Sequence, residues 1–106
     1  MSAQGAAGPA GVRTVQIDNE RVRVSQWSFA PDAATGWHRH EFDYVIVPLM
    51  DGALRMEEGG DATTAELAAG QSYFRPAGVE HDVVNASGRE FAFVEIELKA
   101  GPQLPK

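Results

Sequence analysis

Cysteine is absent from this chain, so neither a disulfide framework nor a thiolate metal site is available to it. Positive charge is scarce. Nine Lys and Arg face fifteen Asp and Glu, a formal net charge of −6, and the basic residues are scattered. A nucleic-acid partner needs a basic patch to meet the phosphate backbone, so none is expected. No apolar run approaches the roughly 18 residues of a transmembrane helix, and no membrane partner is expected. The first residues lack the basic start and apolar stretch of a signal peptide, which makes a soluble cytoplasmic protein the expectation. Helical periodicity is missing throughout. At 106 residues the chain is long enough for one domain and one compact core.

Short β-type runs separated by turn residues fill most of the sequence. Residues 1–11 are small and flexible and read as a leader, 12–99 as the folded domain, and 100–106 as a tail broken by two prolines. Strands are expected over 12–17, 21–29, 44–50, 53–58, 63–67, 71–75, 81–85 and 91–98. Val22 and Val24 share one parity, Trp27 and Phe29 the other, which suggests a bulge near Gln26. Asp51-Gly52 reads as a hairpin turn and Gly59-Gly60-Asp61 as another turn. The run 44–50 is apolar on both parities and so buried on both faces, which predicts a homodimer or a second sheet layer over it. Within it Pro48 cannot donate to a ladder and marks an edge or a bulge. In 91–98, Ala92, Val94, Ile96 and Leu98 form an aliphatic face that is expected to be core, leaving Glu95 and Glu97 solvated. A slip in parity would instead bring a glutamate inward. The whole is an all-β sandwich or barrel.

Chemistry concentrates in Gly36-Trp37-His38-Arg39-His40-Glu41-Phe42-Asp43-Tyr44. His38 and His40 are two apart, so on a strand both imidazoles turn to one face and can reach one metal ion. The alternative is a pair of surface histidines near a strand end. The third histidine, His81, follows the turn Pro76-Ala77-Gly78-Val79-Glu80.

The spacing Gly70, five residues, Pro76, one residue, Gly78, two residues, His81, three residues, Asn85 resembles the second signature motif of the cupin superfamily, and His38 and His40 resemble the first. The resemblance spans roughly residues 20–98 and is closest to small single-domain bacterial cupins, some of them linked to β-alanine degradation. It implies a double-stranded β-helix, or jelly-roll, barrel. Two positions depart from the pattern. Tyr44 and Val45 stand where a glutamate ligand is expected, and Asp32 stands where the pattern has glycine.

The resemblance implies a centre of His38, His40 and His81 holding a divalent ion such as Fe(II), Zn, Ni or Mn, with positions left open as in catalytic sites. With no carboxylate ligand the ion keeps its full charge and favours an anionic small molecule, such as a carboxylate or an enolate. Tyr44 would then lie near the metal as a hydrogen-bond donor or distant ligand, or else be a core tyrosine. Asp43 takes the glutamate's place only if a bulge turns it inward. Arg75 pointing inward offers a fork for a carboxylate; pointing outward it is solubilising. Trp37, Phe42 and Phe74 are expected to pack. Neutral imidazoles are needed for ligation, so a bound ion should leave as pH falls through about 6.5. Two functions are open: a dioxygenase-like, metal-dependent enzyme, or a non-catalytic binding or sensory cupin.

Overall fold

The computed structural model describes residues 9–99. Residues 1–8 of the expected leader and the tail 100–106 lie outside them. Nine strands and no helix occur among the described residues: β1 (Val12–Asp18), β2 (Val22–Phe29), β3 (His38–Arg39), β4 (Asp43–Pro48), β5 (Gly52–Glu58), β6 (Asp61–Leu67), β7 (Tyr73–Arg75), β8 (Glu80–Asn85) and β9 (Phe91–Leu98). They form two antiparallel sheets, one in the order β1-β2-β9-β4-β7 and one in the order β3-β8-β5-β6. This is the all-β, jelly-roll barrel that the motifs implied.

Register across the larger sheet stacks the interior side chains in rows. Phe91 faces Phe29, then Phe93 lies between Trp27 and Pro48, Glu95 between Ser25 and Ile46, and Glu97 between Arg23 and Tyr44. β7 extends the last two rows with Tyr73 beside Ile46 and Arg75 beside Tyr44. The barrel interior is therefore apolar at one end and charged at the other. Phe29 and Phe93 pack with ring centroids 5.5 Å apart, Phe91 and Phe93 at 6.3 Å, and Leu54, Ile46 and Val83 complete this core. Burying one such ring contributes about 1.5–3 kcal/mol.

Several expectations change. The parity of β9 is the reverse of the one expected: Glu95 and Glu97 are only 7% and 5% exposed, and Leu98 is exposed. The reason is visible in the same strand, since Phe91 and Phe93 share their parity with the glutamates and the bulky rings decide which face is core. The same rule applies to β2, where Arg23, Ser25, Trp27 and Phe29 face inward in unbroken register. No bulge lies near Gln26; the irregularity is in β1, between Val15 and Ile17. Asp51-Gly52 is no hairpin but the passage from one sheet to the other. Gly52 is needed there because a methyl group would overlap the Phe91 ring and come within 2.6 Å of Ser87 Oγ. The two-residue hairpin is Gly59-Gly60, between Glu58 and Asp61, with φ of +60° and +102°, a type I′ signature.

Pro48 is buried at the end of β4, beyond the last residue paired with β7, so its missing N–H breaks no ladder. Trp37 and Phe74 do not pack: they are 58% and 55% exposed. Phe42 is half-buried beneath the Arg23 guanidinium. At the start of the described chain, Ala34 N–H donates to Pro9 O and Gly11 N–H donates to Ala34 O, so Pro9–Gly11 are held against the barrel.

Candidate metal centre

His38 on β3 and His81 on β8 are direct cross-strand partners. Such pairs put their side chains side by side on one face. His40 continues the ladder: its N–H donates to Val79 O and its carbonyl accepts from Gly78 N–H. Two residues beyond His38, it returns to the same face. The turn that delivers His81 is fixed from outside. Gly78 has φ +95°, and Asp43 Oδ1 accepts the Ala77 N–H at 2.8 Å. Asp43 is thus exposed and employed in the turn, not turned inward as a ligand. Asn85, the last residue of the second motif, is fully buried. Its amide nitrogen donates to Arg89 O at 2.7 Å and Ala30 O at 3.1 Å, and its oxygen accepts from Ser87 N–H, tying three loop carbonyl and amide groups together.

The three Nε2 atoms converge. His38 and His40 bring theirs to 2.9 Å, His40 and His81 to 3.1 Å, and the potential donor atoms of all three lie within 4.8 Å of one another. Nitrogens bound 2.0–2.1 Å from one ion stand about 2.8–3.4 Å apart for right-angle to tetrahedral arrangements. The outward-facing nitrogens agree with that use. His38 Nδ1 lies 2.8 Å from Gly36 O, which fixes it as the protonated nitrogen and leaves a lone pair on Nε2. His40 Nδ1 faces Glu95 Oε2 at 3.8 Å and His81 Nδ1 faces Glu58 Oε2 at 3.9 Å. His81 Nδ1 is buried without a hydrogen-bond partner.

A proton is a poor way to relieve three facing lone pairs here. Burial, with His38, His81 and Arg75 nearby, drives His40 down to about 3. Burial with His38 and Arg75 drives His81 down to about 4. Two neutral imidazole donors therefore persist at neutral pH, and a divalent cation fits the cluster.

Tyr44 stacks on His40 with centroids 3.8 Å apart and planes 16° from parallel, and it is almost fully buried. Burial pushes its phenol above the ordinary value, so it remains an O–H. A cavity of about 470 Å³ opens over the histidines, with Arg75, Tyr73 and Glu95 in its wall and Ile46, Leu54 and Val83 beneath. Arg75 thus faces the cavity, with Glu58 Oε2 at 3.5 Å as its nearest carboxylate. Four charged wall residues were hidden in the sequence: Arg13, Arg23, Glu95 and Glu97. Arg13 and Arg23 both bind Glu97, at 3.1 Å and at 2.6 and 3.0 Å. Trp27 Nε1 lies 3.4 Å from Glu95 Oε1. Burial, with Glu97 nearby, raises Glu95 above its ordinary value. The signal available was parity: Arg23 and Trp27 alternate with Val22, Val24 and Gln26 on β2, and Glu95 and Glu97 with Val94 and Ile96 on β9, whereas Arg13 on β1 carried no such signal.

Comparison with known proteins agrees with this geometry. Residues 25–97 match the cupin domain model. A curated relative from Pseudomonas aeruginosa, named beta-alanine degradation protein BauB, is 57% identical over 91 residues, covering 86% of this chain and 96% of its own. The crystal structure of a cupin domain from Bordetella pertussis Tohama I is 54% identical, with a TM-score of 0.86 over 91% of this chain and all of its own. A cupin superfamily protein from Desulfitobacterium hafniense shares the fold at 18% identity, with a TM-score of 0.69 over 92% of this chain and 84% of its own.

Proposed function

This chain belongs to the cupin domain family, and from that membership we propose that it is a metal-dependent, dioxygenase-like enzyme acting on a small anionic or dicarbonyl metabolite. One observation carries the reading: three imidazole Nε2 atoms converge on a cavity while their Nδ1 atoms face Gly36 O, Glu95 and Glu58. His38, His40 and His81 would hold the ion. A divalent metal such as Fe(II), Zn, Ni or Mn supplies Lewis acidity there, and Fe(II) adds the capacity to activate oxygen.

The protein's own groups have distinct tasks. Arg75 presents its guanidinium to the cavity and binds a substrate carboxylate. Tyr44, kept as an O–H by burial, donates a hydrogen bond toward the oxygen side of the substrate. Ile46, Leu54, Val83 and Phe93 exclude water from the floor, which strengthens every electrostatic contact above them. The name of the Pseudomonas relative directs the substrate search to acids formed in β-amino-acid breakdown.

The same proposal includes a homodimer and a cytoplasmic location. The outer face of the larger sheet carries Val45, Val47, Val94 and Ile96, bordered by exposed Phe74, and a second copy would cover it. A cysteine-free chain needs no oxidising compartment.

Anaerobic loading with Fe(II), followed by oxygen-uptake measurements with small β-dicarbonyls and carboxylic acids, tests the enzyme. Oxygen consumption that depends on both metal and substrate is expected. Stoichiometric metal without turnover on any of them, with any metal, would leave a binding or sensory cupin instead.

A further inference from the structure

We propose that the cavity selects a short zwitterion, a carboxylate joined by a few carbons to a cationic nitrogen, with Glu95 as the residue that reads the nitrogen. The inference rests on the cavity being an anion-binding metal site, and it adds a second, opposite charge to the ligand.

The charges lining the cavity divide into those already matched and those left over. Arg13 and Arg23 are both engaged with Glu97. Arg39 lies at the rim, largely exposed and 3.6 Å from Glu80. Glu41 stands exposed in the lining, and two less exposed charges facing the cavity lack a close partner. Arg75 has only Glu58, at 3.5 Å. Glu95, with a side chain 9% exposed, has an indole N–H at 3.4 Å and the His40 ring at 3.8 Å. A buried carboxylate so weakly held carries a desolvation cost that a good donor would offset. Arginine and lysine supply no such donor: Arg13 and Arg23, the arginines that act on Glu95, are already held by Glu97. A ligand ammonium is the donor that fits.

Spacing sets the length of the ligand. Glu95 lies beside Ile46 on one side of β4, and Arg75 lies beside Tyr44 on the other. Their backbones are thus two strands across and two residues along, roughly 12 Å apart. Both side chains line the cavity, and a short ligand bridging them would span what the two side chains leave of that gap. The metal centre lies by the same wall, where His40 stacks on Tyr44. A ligand held by Arg75 and Glu95 would lie across Tyr44 and Ile46, beside the three imidazoles.

Calorimetric titration of the full chain loaded with Zn(II) tests this. The probes are 3-aminopropanoate and 4-aminobutanoate, against propanoate, butanoate and 3-hydroxypropanoate. At least one amino acid is expected to bind about tenfold tighter than its des-amino acid, the size of one charge-assisted hydrogen bond. Glu95→Gln of verified zinc content should remove that preference, so that amino and des-amino acids bind alike. Equal binding of amino and des-amino acids by the unsubstituted protein overturns the inference while leaving the anion-binding centre intact, and needs no variant to fold. A hydroxy acid that matches the amino acid also overturns it, since a neutral donor would then suffice. If no acid binds to protein of verified zinc content, the anion-binding reading falls with it.

Discussion

Tyr44 and His40 lie face to face, 3.8 Å between ring centroids, at the position where the family pattern has a carboxylate ligand. The ring that replaces the carboxylate buttresses a ligand imidazole and keeps its own proton. Tyr44→Phe preserves the stack and removes the donor. Its melting temperature and metal content should stay near those of the parent, while kcat falls about tenfold or more. Unchanged turnover would show that the hydroxyl has no part in the reaction.

Substituting His40 or His81 by Ala should abolish stoichiometric metal, because each contributes a buried, neutral nitrogen to one cluster. Elemental analysis of purified protein checks this. Full metal content in either variant would contradict a three-imidazole centre.

The metal-free protein should lose stability on acidification. His40 and His81 stand at about 3 and about 4 in the fold, against about 6.5 for an unfolded imidazole. Between pH 6.5 and about 4 the unfolded chain takes up protons that the folded one refuses. Stability then falls by up to about 1.4 kcal/mol per pH unit for each ring. Glu95 acts in the opposite sense, since its raised value lets the fold gain that proton earlier. Thermal melts of apoprotein between pH 7 and 5 should show the fall, and His81→Gln should flatten it. Release of a bound ion, expected near pH 6.5 for ordinary imidazoles, is displaced to lower pH by the same burial.

Asp32 is the one non-glycine residue with positive φ among the described residues, at +67°. It occupies the place where the family pattern has glycine, so the backbone has kept the turn after losing the residue suited to it. Left-handed backbone costs a residue with a Cβ about 1 kcal/mol, somewhat less for Asp. Asp32→Gly should therefore raise the melting temperature by about 2–5 °C. A lower melting temperature would show that the Asp32 side chain contributes more than its strain costs.

Much of this was legible in the sequence, and the remainder failed for one reason. Strand positions, the Gly59-Gly60 turn and the three histidines followed from residue type and spacing. Glu95 and Glu97 did not, because their positions beside an aliphatic face were assigned to solvent, and nothing in residue type or spacing marked Arg13 and Arg23. A barrel with a polar mouth inverts that assignment along half of each strand. Phe91 and Phe93 on β9, and Trp27 and Phe29 on β2, held the correct parity, since aromatic rings fix the core face more firmly than small aliphatics. Arg75 was ambiguous for the same reason: a three-residue strand has too little pattern to fix its face. Asp51-Gly52 has the composition of a tight hairpin, but its neighbours pair with different strands.

The exposed Phe74 beside Val45 gives the proposed homodimer a direct check. Light scattering should return twice the chain mass, and Phe74→Glu should return the monomer. A monomeric parent would rule the dimer out.

The rows of the larger sheet divide labour along the barrel axis. Phe29, Phe91 and Phe93 pack the core at one end, and Arg23, Arg75, Glu95 and Glu97 line the cavity toward the other. Ligand preference can drift through exchanges at four or five upper positions while the foundation stays untouched. A scaffold divided in this way is open to new chemistry without first having to be made more stable.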